Sequence, residues 1–201
     1  LYLLLDGERA SDVLAELDED DRERFLEVLP GEVIAQKFID HMDSDDAADV
    51  IGDLSEEKKQ DILLHLDDLE QAGDIVDLLG YDENSAGGLM AKEMIKVNEN
   101  WTILTCLKEL ANQADEVDEV YYMYVVDNSN KLKGIVSLKK MLLSNNSTKV
   151  KTIIEDDIIS VNTSATGEEV AQIMEKYDLV AIPVVDSLGR LVGRITIDDI
   201  V

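Results

Sequence analysis

Carboxylates dominate the chemistry available to this chain of 201 residues: 45 Asp and Glu stand against 18 Lys and Arg, a formal net charge of -27. Several are spaced to act together. Asp45 and Asp49 lie one helical turn apart and share a face if the segment is helical. Glu175 and Asp178 fall at an expected helix end, Asp198 and Asp199 at an expected helix start, and Glu168 in the first turn of another helix. Oxygen donors of this kind suit a hard divalent cation that keeps several waters and takes one or two carboxylates. The same acids are also what a solvated helix face carries, and a first turn favours them through the helix dipole. Spacing alone leaves both readings open.

Other chemistries have little behind them. His41 and His65 lack cysteine or histidine partners for a zinc site. Cys106 is the only cysteine, so no disulfide framework exists, in keeping with a reducing compartment, and it is expected to be inert core. No Ser-His-Asp, Cys-His or phosphate-loop arrangement is present, Gly87-Gly88 reads as a turn, and no enzyme activity is expected. A nucleic-acid partner needs a basic face, which the charge excludes. The longest apolar run, Val120–Val126, has seven residues, far short of the roughly 20 that a spanning helix needs. The chain starts without Met and stops at an apparent helix start, as expected of a soluble fragment of something longer.

Two kinds of element must position these acids. Residues 1–80 carry 25 acids and 6 bases, and their last apolar residues, Leu17, Leu29, Met42, Leu54, Leu66 and Leu79, recur every 12 or 13 positions. This predicts short helices with Ser11, Ser44 and Ser55 as N-caps, stacked into an acidic superhelical bundle because helices of about ten residues are unstable alone. Residues 81–88 read as a turn-rich linker.

Beyond it a pattern occurs twice. Val125-Val126-Asp127, Leu132-Lys133-Gly134 and Ser137-Leu138-Lys139-Lys140 are followed 59 residues later by Val184-Val185-Asp186, Leu191-Val192-Gly193 and Thr196-Ile197-Asp198-Asp199. Each copy reads as β-α-β-β-α, with Thr102 capping one helix, Thr166 and Glu169 forming a capping box on the other, Val120–Val126 and Leu179–Val185 as strands, and Pro183 at an edge or irregular position. Tyr121, Tyr122 and Tyr124 alternate between core and the cleft between repeats.

The two copies, 89–148 and 149–201, resemble tandem CBS domains. With Ser85-Ala86-Gly87-Gly88-Leu89-Met90, the Tyr121-Tyr122-x-Tyr124-Val-Val-Asp string, Tyr177-Asp178 and an acidic helical domain in front, the whole chain resembles the cytosolic region of MgtE-type magnesium channels. The fold expected is therefore α + α/β, an all-helical domain followed by a CBS pair. The resemblance implies a regulatory region on the cytoplasmic side of the cell membrane. It implies a homodimer through the CBS domains, a separate transmembrane pore, and Mg²⁺ that clamps the helical domain to the CBS pair and closes the pore. It assigns Asp45 and Asp49 to the helical face, and Asp178 and Asp199 to the metal sites of the CBS face. Thr166 stands where some members carry an acid, which weakens a site beside Glu168, whereas Glu175 adds a carboxylate.

The alternative is an adenine-nucleotide-sensing CBS module of another transporter or enzyme, with ATP at a first cleft of Tyr122, Lys139, Leu179 and Pro183. Against it, Lys140 occupies the position of a ribose-binding aspartate, and an ammonium cannot accept hydrogen bonds from ribose hydroxyls.

Overall fold

A computed structural model describes residues 2–113 and 122–200. It divides into two compact units, residues 1–81 and 82–201. The first is helical: α1 Gly7–Ala15, α2 Glu19–Glu27, α3 Gly31–Lys37, α4 Ser44–Gly52, α5 Glu56–Leu64 and α6 Leu69–Leu78, with a 3-10 turn at Ile39–His41. Helices pack on the next but one, α1 on α3, α3 on α5 and α4 on α6, as superhelical stacking requires. Their inner faces bury Leu14, Leu26, Ile34, Ile51 and Ile75, with Phe38 buried after α3, and Phe25 meets Phe38 edge-on at 5.9 Å.

The caps differ in part from expectation. Ser55 caps α5 through its bond from the Lys58 N–H. Ser11 is instead inside α1, buried, with its Oγ 2.8 Å from both Gly7 O and Phe38 O, which share its one hydroxyl proton. Ser44 is the buried first residue of α4, behind Asp43 at the N-cap. Both serines are buried, and burial outweighs their capping preference. The cap of α3 comes from a distant helix: Pro30 has no side-chain acceptor to offer, and Asp61 Oδ2 accepts from Gly31 N–H at 3.0 Å.

The second unit is a pseudo-symmetric pair. Repeat 1 has β1 Ile95–Asn98, α8 Ile103–Gln113, β2 Met123–Val126, β3 Leu132–Val136 and α9 Leu138–Leu142; repeat 2 has β4 Val161–Asn162, α10 Gly167–Tyr177, β5 Ala181–Val185 and β6 Leu191–Thr196. Both sheets have order first–second–third strand, parallel then antiparallel. Both second strands carry an irregularity at equivalent places, Val125/Val126 and Val184/Val185. Val120 and Tyr121 of the expected strand lie outside the described residues. Between the repeats, Leu132 N–H donates to Gly189 O and Leu191 N–H to Asn130 O, a reciprocal pair at the 59-residue offset. Asn130 and Gly189 both have positive φ, 62° and 78°, the left-handed conformation that asparagine and glycine tolerate.

Upstream of the second strands the offset is 64 residues, since Val97 pairs with Val125 and Val161 with Val184; the link from helix to second strand is thus five residues longer in repeat 1. At this offset the leading segments are exchanged. Ala91 pairs with Arg194 on β6, and Glu155 with Ile135 on β3; likewise Ser85 pairs with Thr166, and Lys149 with Thr102. Residues 86–89 are not a turn but the short helix α7, Ala86–Leu89, capped by Ser85. Ala86 N–H donates to Ala165 O and Gly87 N–H to Thr163 O, so packing against repeat 2 overrides the poor helix propensity of two glycines.

Pro183 lies in the central strand of its sheet, but β4 reaches only Val184 and Val185. Its register partner Arg194 directs its own N–H and C=O to Ala91 instead. The missing N–H thus falls where no ladder bond is needed, and the irregular position expected of a proline is met.

Candidate functional site

The seven acids separate into distinct places. On α4 the buried stripe Ala47, Ala48, Val50 and Ile51 fixes the helix against its unit, which leaves Asp45 half-buried and Asp49 exposed one turn on. In the second unit, α10 starts with the capping box of Thr166 and Glu169 and ends at Asp178, left-handed at φ 52°. Leu179 N–H returns to Met174 O at 2.9 Å, and Ile197 N–H donates to Val180 O at 3.0 Å. With Ala181 registered against Thr196, these bonds bring Asp178 and the Asp198-Asp199 turn to one end of the sheet. Glu175 is on the last turn of the same helix and exposed, as are Asp178, Asp198 and Asp199.

Glu168 is elsewhere. Ten residues of helix place it about 15 Å from Asp178, and its Oε1 accepts from Gln172 Nε2 at 3.2 Å. A single ion cannot take both.

Asp198 and Asp199 follow β6 after Ile197. They lie in a turn held by i→i+3 bonds, Asp199 to Thr196 and Ile200 to Ile197, each 3.3 Å. Asp199 Oδ2 accepts from Thr196 N–H at 2.7 Å and from its hydroxyl at 2.9 Å, so one oxygen of Asp199 is already engaged as a cap. The donor set is all carboxylate and at least partly exposed. That fits a hard, hydrated divalent cation such as Mg²⁺ and not the Cys and His preference of zinc.

Of the residues expected at a first cleft, Tyr122 packs at the contact between the two sheets. Tyr122 is half-buried and packs with Tyr124, Val126 and Leu191. Pro183 is buried opposite Arg194. Leu179 is half-buried, and Lys139 is exposed on the first turn of α9, beside Lys140, whose N–H is bonded by Ser137 Oγ. Two further residues here are not among the expected site residues. Tyr124 is 1% exposed, and its hydroxyl has no hydrogen-bond partner among the described residues; burial pushes its pKa up, against the pull of the Arg194 guanidinium. Arg194 is itself 6% exposed. An arginine between Gly193 and Ile195 in a mainly apolar strand was the available signal. Cys106 is buried, as expected, with its thiol pushed up to about 11 by burial.

A helical bundle joined to two exchanged β-α-β-β-α repeats defines a CBS-pair protein with a helical N domain. A model of the MgtE intracellular N domain matches residues 1–84, and the CBS domain matches residues 86–144 and 150–201. The chain belongs to the MgtE family of magnesium transporters. It is 31% identical over 202 residues to the magnesium transporter MgtE of Bacillus subtilis, covering 100% of this chain and 44% of that protein. With MgtE of Thermus thermophilus it is 41% identical over 123 residues, 61% of this chain and 27% of that protein. It thus spans less than half the length of these relatives. Among solved structures, the cytosolic domain of the Mg²⁺ channel MgtE in complex with ATP superposes with a TM-score of 0.89 at 32% identity, covering 99% of this chain and 81% of that one. The soluble part of a magnesium transporter gives 0.86 at 32% identity, covering 99% and 78%. No helix of the described residues is long and apolar enough to cross a membrane.

Proposed function

We propose that this chain is the Mg²⁺-sensing cytosolic regulatory region of an MgtE-type channel, and that Mg²⁺ bridges acids of the helical unit to acids of the CBS pair to favour a closed pore. The observation that carries the reading is the pairing of an acid-rich MgtE N domain, 25 acids against 6 bases in residues 1–80, with a CBS pair whose Asp178, Asp198 and Asp199 share one end of a sheet. Asp45 and Asp49 supply the helical side; Glu175 and Asp178, with the Asp198-Asp199 turn, supply the other; Glu168 serves a separate ion. Bound Mg²⁺ supplies positive charge between carboxylates that otherwise repel, about 3 kcal/mol for a pair 6 Å apart at an effective dielectric near 20. Moving a two-state balance from 1:99 to 99:1 takes about 5.5 kcal/mol. An ion that binds only the closed arrangement contributes about 1.4 kcal/mol when free Mg²⁺ is ten times its Kd, so about four such ions supply the shift. The chain acts as a homodimer through the CBS pair, supported by the exposed Leu142 and Leu143 at 63% and 79%, and works on the cytoplasmic side of the membrane beside its own pore.

Small-angle scattering across a Mg²⁺ titration, at ionic strength matched with Na⁺, tests both parts. The radius of gyration should fall as Mg²⁺ reaches millimolar levels, and forward scattering should give twice the 22.4 kDa chain mass. Equal curves in Mg²⁺ and Na⁺ would leave only screening.

A second reading, adenine-nucleotide binding at Tyr122, Lys139, Leu179 and Pro183, is favoured by the unsatisfied Tyr124 hydroxyl beside Arg194 and by the ATP complex of the similar MgtE domain. Lys140 opposes it. Calorimetry should give weak or no ATP binding to the parent chain and tighter binding after Lys140→Asp, which restores an acceptor for ribose hydroxyls; no gain in that variant rejects the reading.

A further inference from the structure

The two repeats treat one sheet edge differently. In repeat 1 the outer edge of β1 is covered by the chain's own helix: Lys96 N–H donates to Gln113 Oε1 at 3.0 Å, and Gln113 Nε2 donates to Lys96 O at 3.3 Å. A carboxamide thus stands in for a peptide group on the strand edge. Trp101 is half-buried nearby, packed on the core that contains Val97.

At the 64-residue offset, repeat 2 has Ser160 for Lys96, Tyr177 for Gln113 and Ala165 for Trp101. Tyr177 is 50% exposed and lies under the Lys176 ammonium, 5.0 Å from its ring; a phenol cannot reproduce the paired donor and acceptor of an amide. A methyl replaces the indole. What remains between β4 and α10 is a groove of about 480 Å³ lined by Ser160, Val161, Ala165, Glu169, Ile173 and Lys176. Thr163 N–H bonds to Val185 O on β5, so by strand alternation the peptide groups of Ser160 face outward along the groove.

We propose that this groove takes an extended segment of a partner protein, which adds to the β4 edge through backbone bonds at Ser160 and places an aromatic side chain over Ala165. Repeat 1 identifies the occupant: at the equivalent edge the fold itself supplies an amide and an indole. Strand addition uses the same elements, main-chain bonds for affinity and alternate side-chain pockets for specificity. The rim carries one charge of each sign, Glu169 and Lys176, and the net charge of -27 of the chain as a whole disfavours an acidic segment. This inference is independent of the Mg²⁺ reading.

The test is amide-resolved NMR of the full chain titrated with the peptide acetyl-KTWTV-amide. Saturable shifts confined to Ser160, Val161, Ala165 and Ile173, with slowed exchange of the Ser160 amide, are expected. The variant Ala165→Trp with Tyr177→Gln, which copies repeat 1, should lose them while its other resonances stay in place. Ala165→Leu, which fills the groove by size alone, serves if the double variant does not fold and should lose them too. Absence of saturation at millimolar peptide, or equal shifts in the filled variants, would overturn the proposal. So would N-acetyl-tryptophanamide reproducing the whole response, since the groove would then be a pocket for a single aromatic group and not a strand-addition site.

Discussion

An aspartate closes the hairpin of each repeat. Asp127 Oδ1 accepts from the N–H groups of Ser129 and Lys131 at 2.8 and 3.0 Å, and Asp186 Oδ1 from Leu188 and Arg190 at 2.9 Å each. Arg190 Nε adds a 2.6 Å bond to Asp186 Oδ2. For Asp127 the Lys131 N–H bond is the main cause of a pKa below the ordinary range. For Asp186 partial desolvation pushes upward but is outweighed by the bonds from Arg190 and Leu188, and its pKa is lowered as well. A carboxylate depressed in the folded state stabilises the fold above its unfolded pKa, about 3.9, and that contribution is lost as pH falls from there through the folded value. Denaturant melts should therefore show the second unit weakening below about pH 4. Asp127→Asn and Asp186→Asn keep an acceptor but lose the charge, so they should flatten this dependence by lowering stability near neutrality towards its acid-pH level; the alanine variants should destabilise at both pH values. Equal losses from Asn and Ala at neutral pH would make charge, not turn geometry, the cause. The Val-Val-Asp pattern was legible in the sequence, but the role of its Asp was not, because nothing in the spacing separates a turn closure from a surface acid. The same ambiguity hid Asp43 behind Ser44, where the better-buried residue turned out not to be the cap.

Between elements, the glycines of the Leu-x-Gly pattern mark where the exchanged segments cross the third strands. A Cβ on Gly134 would sit 2.2 Å from Glu155 O, a backbone atom held by the Ile135–Glu155 pairing. On Gly193 it would meet the flexible Met90 side chain at 2.6 Å and Ala91 O at 2.8 Å. Both substitutions overpack, which typically costs about 1–3 kcal/mol, and Gly134→Ala should be the worse of the two because backbone cannot step aside as a thioether can. Thermal melts of the two single variants measure the difference; equal losses would show that the Ala91 contact decides at Gly193. The repeat itself was plain in the sequence at its 59-residue spacing. The exchange of leading segments was not, since Ala91 and Arg194, or Glu155 and Ile135, are related by no local pattern. Short helices in residues 1–80 were legible from the 12- or 13-residue rhythm, whereas α7 was read as a turn because its two glycines carry no helical signal without repeat 2 behind them.

For the molecule as a whole, composition already separated an acidic front from a less acidic pair of repeats, and the motifs pointed to the family that the comparisons show. Which acids cooperate was not legible: Glu168 and Asp178 share a helix yet stand at opposite ends of it, and Asp199 comes to Asp178 only through the Val180–Ile197 bond. Variants of these acids give the sharpest test of the proposed clamp. Asp45→Asn with Asp49→Asn removes two charges from one helix face, so repulsion falls and the Mg²⁺-free chain should become somewhat more compact in small-angle scattering. The same change removes ligands, so the further compaction on adding Mg²⁺ should shrink. Asp178→Asn with Asp199→Asn should shrink it likewise from the other unit. Asparagine retains an acceptor for Thr196, so the turn at Asp199 is kept while the charge is lost. Asp20 and Asp21, in the first turn of α2, are the control: Asp20→Asn with Asp21→Asn removes as much charge with no proposed ligand and should leave the Mg²⁺ response nearly intact. If this control loses as much response as the other pairs, diffuse screening accounts for the compaction. In a full-length channel carrying Asp45→Asn and Asp49→Asn, patch recordings should find the pore open at Mg²⁺ levels that close the parent, and unchanged gating there would reject the clamp even if the isolated chain compacts.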